Sequence, residues 1–136
     1  DCSIGMLREG RRRGVNAPLV QADLRHLPLL QNSLDGIWAC ASLLHLPKTE
    51  VSVALAECAR VLNHGCLYLA VKEGEGEGWE TDRRTGLRRY FAYYYLSELE
   101  SLLERSGFQV LEHRIDRPGE GQRHPWINVI ASICGG

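Results

Sequence analysis

Apolar and polar positions along the chain form strand-like runs and helix-like stripes in alternation. Continuous apolar runs of strand length occupy Pro18–Ala22, Leu34–Ala41 and Leu67–Lys72. The segment Pro47–Leu62, between the last two runs, repeats apolar residues at intervals of three and four, which predicts an amphipathic helix that Gly65 ends. Strands that alternate with helices predict a parallel sheet covered by helices, and such sheets bind ligands beyond the carboxyl ends of their strands.

The two ends of the chain carry different patterns. Ser3 to Arg13 predicts a helix with Ser3 as its N-cap. Near the other end, Ser97 is expected to cap a helix that stops at Gly107. Phe108–Ile115 and Trp126–Cys134 then alternate in the manner of strands, and together they predict a C-terminal antiparallel hairpin.

A polar, glycine-rich segment lies between the two halves. Glu73–Gly86 predicts a loop, and its Glu-Gly repeats only superficially resemble a phosphate-binding loop, because the carboxylates repel phosphate. An arginine- and tyrosine-rich segment follows. These side chains can clasp an anionic molecule or stack on a base, so we take them as candidate substrate residues. They are Arg88, Arg89, Tyr90, Tyr93 and Tyr94.

Composition sets limits on the class of protein. The 136 residues are expected to form one domain, 1–136, and the net charge of −1 gives no global attraction to nucleic acid or anionic lipid. No apolar run approaches the roughly 20 residues of a membrane span. None of the five cysteines forms a CxxC pair, and Cys40 and Cys66 fall in apolar strand patterns, so we expect core thiols in a cytoplasmic protein. No histidines have metal-ligand spacing, so no metal is expected.

Six short motifs occur in a characteristic order along the chain. They are Asp1-x-Ser3-x-Gly5-Met6-Leu7, Ala22-Asp23-x-x-x-Leu27-Pro28, Ser33-Leu34-Asp35-Gly36-Ile37, Leu44-His45-Leu46, Arg60-Val61-Leu62-x-x-Gly65, and Glu98-Leu99 through Ser106-Gly107-Phe108. In this order and spacing they resemble the class I S-adenosylmethionine-dependent methyltransferases, in particular the methyltransferase type 11 group. The resemblance covers essentially the whole chain.

The resemblance implies a Rossmann-like α/β fold, a sheet in the order 3-2-1-4-5-7-6 in which only strand 7 is antiparallel. On that map the chain holds strands 3 to 7 and lacks strands 1 and 2, so we interpret it as an N-terminally truncated domain. By itself this domain is expected to bind S-adenosylmethionine weakly or not at all and to be inactive. Two arrangements are open. Either residues 19–22 pair directly with residues 36–40, which we favour slightly, or the first 23 residues pack loosely beside a sheet of strands 4 to 7.

The resemblance also implies which residues bind the cofactor, S-adenosylmethionine. Asp1 would accept hydrogen bonds from the ribose hydroxyls, and Asp23 would accept one from the exocyclic amine of adenine. The backbone N–H of Leu24 would face a ring nitrogen. The remaining contacts, near the adenine, the ribose or the methionine part, would come from Cys2, Met6, Ala41 and Ser42.

The methyl acceptor would lie against residues 43–47 and 73–95. His45 stands beside this region and is a candidate general base, although in this family the residue is more often structural. We expect a small-molecule acceptor. Two alternatives are a transfer RNA methyltransferase that acts on the wobble uridine, suggested by the arginine-tyrosine segment, and a truncated binding domain without catalytic activity.

Overall fold

The computed structural model describes residues 1–83 and 85–134. Three α-helices, one 3-10 turn at Leu43–His45 and six strands make up this part of the chain. In chain order the helices and strands are α1 (Ile4–Arg12), β1 (Leu34–Cys40), α2 (Lys48–Val61), β2 (Leu62–Lys72), β3 (Glu77–Thr81), β4 (Arg88–Ala92), α3 (Leu96–Arg105), β5 (Phe108–Asp116) and β6 (Trp126–Ile133).

Four strands form a mixed sheet in the order β1-β2-β6-β5. β1 and β2 are parallel, with Ile37 opposite Leu67, whereas β6 is antiparallel to both of its neighbours. This arrangement is the 4-5-7-6 half of the expected sheet, with the single antiparallel strand in the expected place. The α/β class and the C-terminal antiparallel hairpin are therefore confirmed.

The hydrophobic core joins this sheet to α2 and α3. Leu55 of α2, Leu103 of α3 and Leu67 and Leu69 of β2 are fully buried in one cluster, together with Phe108. Burying a side chain of this size stabilises the fold by about 1.5–3 kcal/mol relative to leaving it exposed. The core therefore lies where the amphipathic stripes of the helices meet the central strand.

The cysteines of the sheet do not contribute to this core. Cys40 and Cys66 are exposed, on the sheet face where Trp38 stacks on Tyr68 with ring centroids 3.8 Å apart. The expectation of two core thiols was wrong, because apolar neighbours in sequence do not show which face a cysteine occupies. The buried thiol is that of Cys58 on α2, and burial raises its pKa to about 11.

Gly65 lies inside β2 rather than at a helix end, because α2 stops at Val61 and β2 begins at Leu62. A β-carbon at position 65 would stand 2.0 Å from the backbone oxygen of Asp35, next to a register irregularity between β1 and β2. Glycine is needed here for a close approach of two backbones. The expectation that Gly65 ends a helix was therefore wrong, although the position does require glycine.

Two helix starts differ from the sequence expectation. α2 begins at Lys48, so Pro47 precedes the helix as its N-cap instead of occupying the first helical position. α3 begins at Leu96, with Tyr95 at the N-cap position, so Ser97 lies in the first turn and makes no capping bond. The expected cap of the first helix is present, since the Ser3 hydroxyl accepts a hydrogen bond from the Met6 amide at 3.2 Å.

Residues 18–22 form no strand, and direct pairing between 19–22 and 36–40 does not occur within the described residues, where β1 pairs with β2. The favoured arrangement was therefore wrong. The backbone of Asp1 supplies the partner instead: its carbonyl accepts from the Ala22 amide at 3.1 Å and its amino group donates to the Val20 carbonyl at 3.3 Å. Residues 1–33 contain no buried side chain, as the loosely packed alternative requires.

Polar bonds attach this outer segment to α2. The Arg60 guanidinium donates to the carbonyls of Leu27 and Leu29 at 3.0 and 2.8 Å, and the Leu27 amide donates to the Glu57 carboxylate at 2.8 Å. Arg60 and this amide together lower the pKa of Glu57 to about 2. We refer to the Glu57–Arg60 pair and its bonds to residues 27–29 as the α2 latch.

The segment expected to be one long loop contains a strand. Glu77–Thr81 pairs with Arg88–Ala92 as the two-stranded hairpin β3–β4, and Trp79 contacts Tyr90 edge-to-face across it. Cross-strand aromatic pairs stabilise a ladder even where glycines weaken it, which explains the difference from the expectation. Residue 84, part of the expected loop, lies outside the described residues. Across 1–83 and 85–134, no helix combines the length and apolar character that crossing a bilayer requires.

Candidate functional site

A cleft of about 520 Å³ opens beyond the carboxyl end of β1. We call it the β1 cleft. Every residue expected to bind the cofactor lines it except Met6, which lies on α1 with 61% of its surface exposed. The lining residues are Asp1, Cys2, Ala22, Asp23, Leu24, Arg25, Leu27, Ala41, Ser42, His45 and Leu46.

Asp23 forms an ion pair that the sequence analysis missed. Its Oδ1 accepts from the backbone amide of Arg25 at 2.8 Å and from Arg25 Nε at 2.9 Å, while Oδ2 accepts from Nη2. These hydrogen bonds lower the pKa of Asp23 to about 2, and Arg25 also pairs with Glu50. The carboxylate is thus charged and oriented. Because an ionised carboxylate offers about four acceptor sites, Oδ2 retains capacity for one more donor.

The two-residue spacing between Asp23 and Arg25 was the signal that could have revealed this pair. An aspartate commonly accepts a hydrogen bond from the backbone amide two residues later in the chain. This turn also places the side chain of that later residue, here Arg25, beside the aspartate. Asp1 forms the same turn, since its Oδ1 accepts from the Ser3 amide at 2.7 Å. Both carboxylates of the β1 cleft are therefore oriented by local turns.

The end of β1 has an unusual backbone conformation. Ala41 has a φ of 53°, in the left-handed region, and its amide donates to the Ala70 carbonyl of β2 at 3.1 Å. This conformation costs a residue with a β-carbon about 1–2 kcal/mol. The Ser42 hydroxyl donates to the carbonyl of Cys40, the last residue of β1, at 3.2 Å. The chain turns sharply here and places both residues on the wall of the β1 cleft.

His45 links the β1 cleft to the β3–β4 hairpin. Its Nδ1 lies 2.8 Å from the Tyr90 carbonyl, and its ring contacts Phe91 at 4.9 Å between centroids. A carbonyl oxygen only accepts, so Nδ1 carries the hydrogen and Nε2 is the nitrogen that can accept a proton. The geometry gives His45 a fixed ring orientation, which suits either a positioning or a proton-accepting role.

A second cleft, of about 630 Å³, lies at the carboxyl end of β2. We call it the β2 cleft. It is bounded by the β3–β4 hairpin and by the segment before β6, and Lys72, Phe91, Tyr93, His124 and Trp126 are on its walls. Phe91 therefore contacts the β2 cleft on one side and His45 of the β1 cleft on the other, so the two clefts are neighbours.

The arginine-tyrosine segment is divided by the structure. Arg88 and Arg89 are exposed on β4, and the Arg88 guanidinium lies 5.5 Å from the Trp79 ring centroid. Tyr93 lines the β2 cleft and donates its hydroxyl to Glu80 at 2.6 Å. Tyr94 is 1% exposed and packs in the hydrophobic core, so it is not accessible from either cleft.

Tyr90 is half-buried, and it holds His45 through its backbone carbonyl rather than through its side chain.

Across residues 1–83 and 85–134, no three histidine, cysteine, aspartate or glutamate side chains converge in a way that would hold a metal ion.

The sheet order places the protein in the class of Rossmann-like α/β proteins, which bind ligands at the carboxyl edge of the sheet, where the β1 cleft lies. Comparison with known sequences gives the family: the profile described as "Methyltransferase domain" matches residues 1–70. The chain belongs to this methyltransferase family. Methyltransferase GfsG of Streptomyces halstedii is 31% identical over 98 residues, which are 67% of this chain and 34% of that protein. The match thus spans about a third of the length of this relative.

Solved structures show the same fold. A methyltransferase from Methanosarcina mazei described as S-adenosylmethionine-dependent superposes with a TM-score of 0.81 at 18% identity, and the match covers 98% of this chain and 79% of that one. The Burkholderia thailandensis 1,6-didemethyltoxoflavin-N1-methyltransferase, solved with 1,6-didemethyltoxoflavin and S-adenosylhomocysteine, gives a TM-score of 0.74 at 17% identity, over 97% of this chain and 57% of that one. At these identities the likeness concerns the fold alone.

Proposed function

We propose that the β1 cleft binds S-adenosylmethionine and that the protein transfers its methyl group to a small-molecule acceptor. One observation carries this proposal. Residues that are far apart in sequence, from Asp1 to Asp23 and from Ala41 to His45, converge on one cleft at the carboxyl end of a parallel strand. They include all but one of the residues that the family resemblance assigns to the cofactor.

The residues of the β1 cleft fit this cofactor. Its volume of about 520 Å³ is within the range of small-molecule sites, which is roughly 300–1,000 Å³. Asp23 and Asp1 supply acceptors for an adenine amine and for ribose hydroxyls. Cys2, Leu27 and Ala41 supply the apolar surface that a nucleoside requires.

When bound, S-adenosylmethionine supplies an electrophilic methyl group on a sulfonium. The task of the protein in such a transfer is mainly to hold two molecules in line, and this orientation can account for several kcal/mol of the barrier, about 7–11 in favourable systems. Asp23 and the turn at Ala41 would orient the cofactor. His45, held by the Tyr90 carbonyl, would accept a proton at Nε2 from an acceptor that must lose one.

The Burkholderia enzyme, which has the same fold, supports a small-molecule acceptor, because its structure holds the small molecule 1,6-didemethyltoxoflavin. We also propose a cytoplasmic location. Cys2, Cys40, Cys66 and Cys134 are free and exposed, a state that persists in reducing compartments.

Ligand-observed NMR with S-adenosylhomocysteine tests cofactor binding and detects even weak affinity. Saturation transfer to the adenine and ribose protons is expected with the wild-type chain, and Asp23→Ala should weaken binding about 2- to 13-fold, the effect of one hydrogen bond. Asp35→Ala, at the start of β1 and outside the cleft, is the matched control and should leave the signal unchanged. A wild-type signal unaffected by Asp23→Ala would place the ligand elsewhere, and no signal at all would favour the non-catalytic alternative.

The transfer RNA alternative would use a different surface. Arg88 and Arg89 are exposed on the hairpin beside Trp79, a combination suited to phosphate and base contacts. Gel-shift titration with transfer RNA at several salt concentrations separates the alternatives. Binding that weakens steeply with salt and is lost in Arg88→Ala/Arg89→Ala would support it, whereas a small-molecule enzyme predicts no such complex.

A further inference from the structure

We infer that the β2 cleft is an acceptor site selective for a flat ring bearing an anionic group, and that Lys72 determines this selectivity. This inference rests on the proposed function and names the substrate class. Part of this cleft belongs to residues 73–95, which the family resemblance assigns to the acceptor, whereas Lys72 on β2 and the segment that leads into β6 lie outside that assignment.

Lys72 is a cation without an anionic partner in the described part of the chain. Its Nζ lies 4.5 Å from the ring centroid of Phe91 and 5.8 Å from that of Trp126, and it makes no ion pair there. The other lysine, Lys48, pairs with Glu98 at 2.7 Å. Aromatic faces attract a cation without neutralising it. Lys72 can therefore pair with an anionic ligand while its ammonium group lies against two rings.

The remaining charges of the β2 cleft also favour an anion near Lys72. Arg83 and Arg123 line the cleft with it, and the carboxylates are those of Glu80 and Asp82 on the hairpin side. Glu80 already accepts the Tyr93 hydroxyl at 2.6 Å. Among the described lining residues there are thus three cations and two carboxylates, and the cation at the strand end is the one in contact with both Phe91 and Trp126.

Stacked rings give the cleft its preference for a flat molecule. Tyr93 stacks on His124 with centroids 4.2 Å apart and an interplanar angle of 28°, and it is nearly parallel to Phe91 at 6.2 Å. The His124 ring is fixed in turn, since its Nδ1 lies 2.9 Å from the Glu73 carbonyl. Preorganised aromatic surfaces of this kind bind planar rings through offset stacking.

The position of the β2 cleft suits an acceptor. Phe91 lines it and also contacts His45, which lines the β1 cleft. An anionic ring held by Lys72 would therefore lie next to the cofactor site, with the His45–Phe91 pair between the two clefts. That pair is where a nucleophile on the ring would have to approach.

The probes for this site are salicylate, a flat anion, and salicylamide, its neutral counterpart, in ligand-observed NMR titrations. The wild-type chain should bind salicylate, and Lys72→Met should weaken this binding at least about tenfold, the loss expected for one charge-assisted hydrogen bond. Lys72→Arg should retain most of the affinity, and Lys48→Met, which removes the same charge outside the cleft, should retain all of it. Salicylamide should bind all four proteins equally.

Equal binding of salicylate and salicylamide by the wild-type chain, or salicylate binding unchanged in Lys72→Met, would overturn the inference. Transfer RNA binding that depends on Lys72, without salicylate binding, would also overturn it, since the anion would then be a nucleic acid phosphate. S-adenosylhomocysteine is titrated in parallel on the same samples. If the wild-type chain does not bind S-adenosylhomocysteine, the proposed cofactor is wrong. This outcome is independent of whether salicylate binds.

Discussion

Residues 1–33 and residues 34–134 contribute to the same cleft but are built in different ways. The second region contains every buried hydrophobic side chain of the described chain, from Ala39 onward. The first contains none; it is attached chiefly by polar bonds, those of the α2 latch and of Arg25 with Glu50, and only the half-buried Leu24 packs against the core. In the proposed site, stability and recognition are therefore supplied by different regions: the sheet supplies the strand ends, and short turns in the outer segment supply the carboxylates.

The largest expected contrast is between two leucine truncations. Leu69→Ala removes a fully buried side chain from β2 and should lower the free energy of unfolding by about 2–5 kcal/mol. Leu30→Ala alters a side chain that is 81% exposed in the outer segment and should change it by less than about 0.5 kcal/mol. Urea unfolding measures both. Comparable losses would mean that residues 1–33 share the core and would contradict this difference between the two regions.

A second contrast lies within the sheet and concerns the close approach at Gly65. Gly65→Ala places a methyl group against the Asp35 backbone oxygen and should destabilise the fold by about 1–3 kcal/mol or more. Gly36→Ala on the neighbouring strand meets its nearest atom at 3.6 Å and should be neutral, or stabilising by up to about 1 kcal/mol. Thermal melts of the two variants measure this difference in stability. If both melt alike, the two backbones do not approach closely at Gly65.

The smallest expected effect is a local one, at the α2 latch. The pKa of Glu57 is lowered to about 2 from its ordinary value of 4.5, so its charged form favours the latched state. The stabilisation is complete above 4.5 and is lost as the pH falls through about 2. Hydrogen exchange at the Leu27 amide, corrected for the intrinsic pH dependence, should therefore accelerate as the solution is acidified through this window.

Glu57→Gln should remove that pH dependence and leave the Leu27 amide less protected at neutral pH. Glu104→Gln, an exposed glutamate of α3, serves as the control and should behave as the wild type. A pH dependence that persists in Glu57→Gln would show that another carboxylate holds the loop.

The order of strands in the sheet was predicted by the family resemblance, whereas the existence of strands such as β2 was predictable from long, continuous apolar runs. The same reasoning failed at Pro18–Ala22, where an apolar run of strand length stays outside the sheet. Its backbone bonds go to Asp1, a partner nineteen or more residues away whose position no local pattern indicates. Edges and pairings depend on tertiary contacts, and local propensity carries little information about them.

The position of the site was predictable for a related reason. The ends of apolar runs are visible in the sequence, so Asp23 and Ser42 could be assigned to one edge before any contact was known, although the run before Asp23 forms no strand. The ion pair of Asp23 with Arg25 and the cation of Lys72 between two rings could not be assigned, because they depend on side-chain directions and on the β3–β4 hairpin. The glycine-rich sequence of residues 73–86 predicted a loop, so neither the hairpin nor the β2 cleft that it bounds was expected.

Hydrogen exchange followed by mass spectrometry, with and without saturating S-adenosylhomocysteine, tests the central claim most directly. That claim is that a stable sheet and a weakly packed outer segment together form a cofactor site in the β1 cleft. We predict fast exchange in residues 1–33 of the free chain, slow exchange in β2 and β6, and new protection on ligand addition at residues 22–27 and 41–46. Ligand protection confined to β5 and β6, or none at 22–27, would contradict the claim.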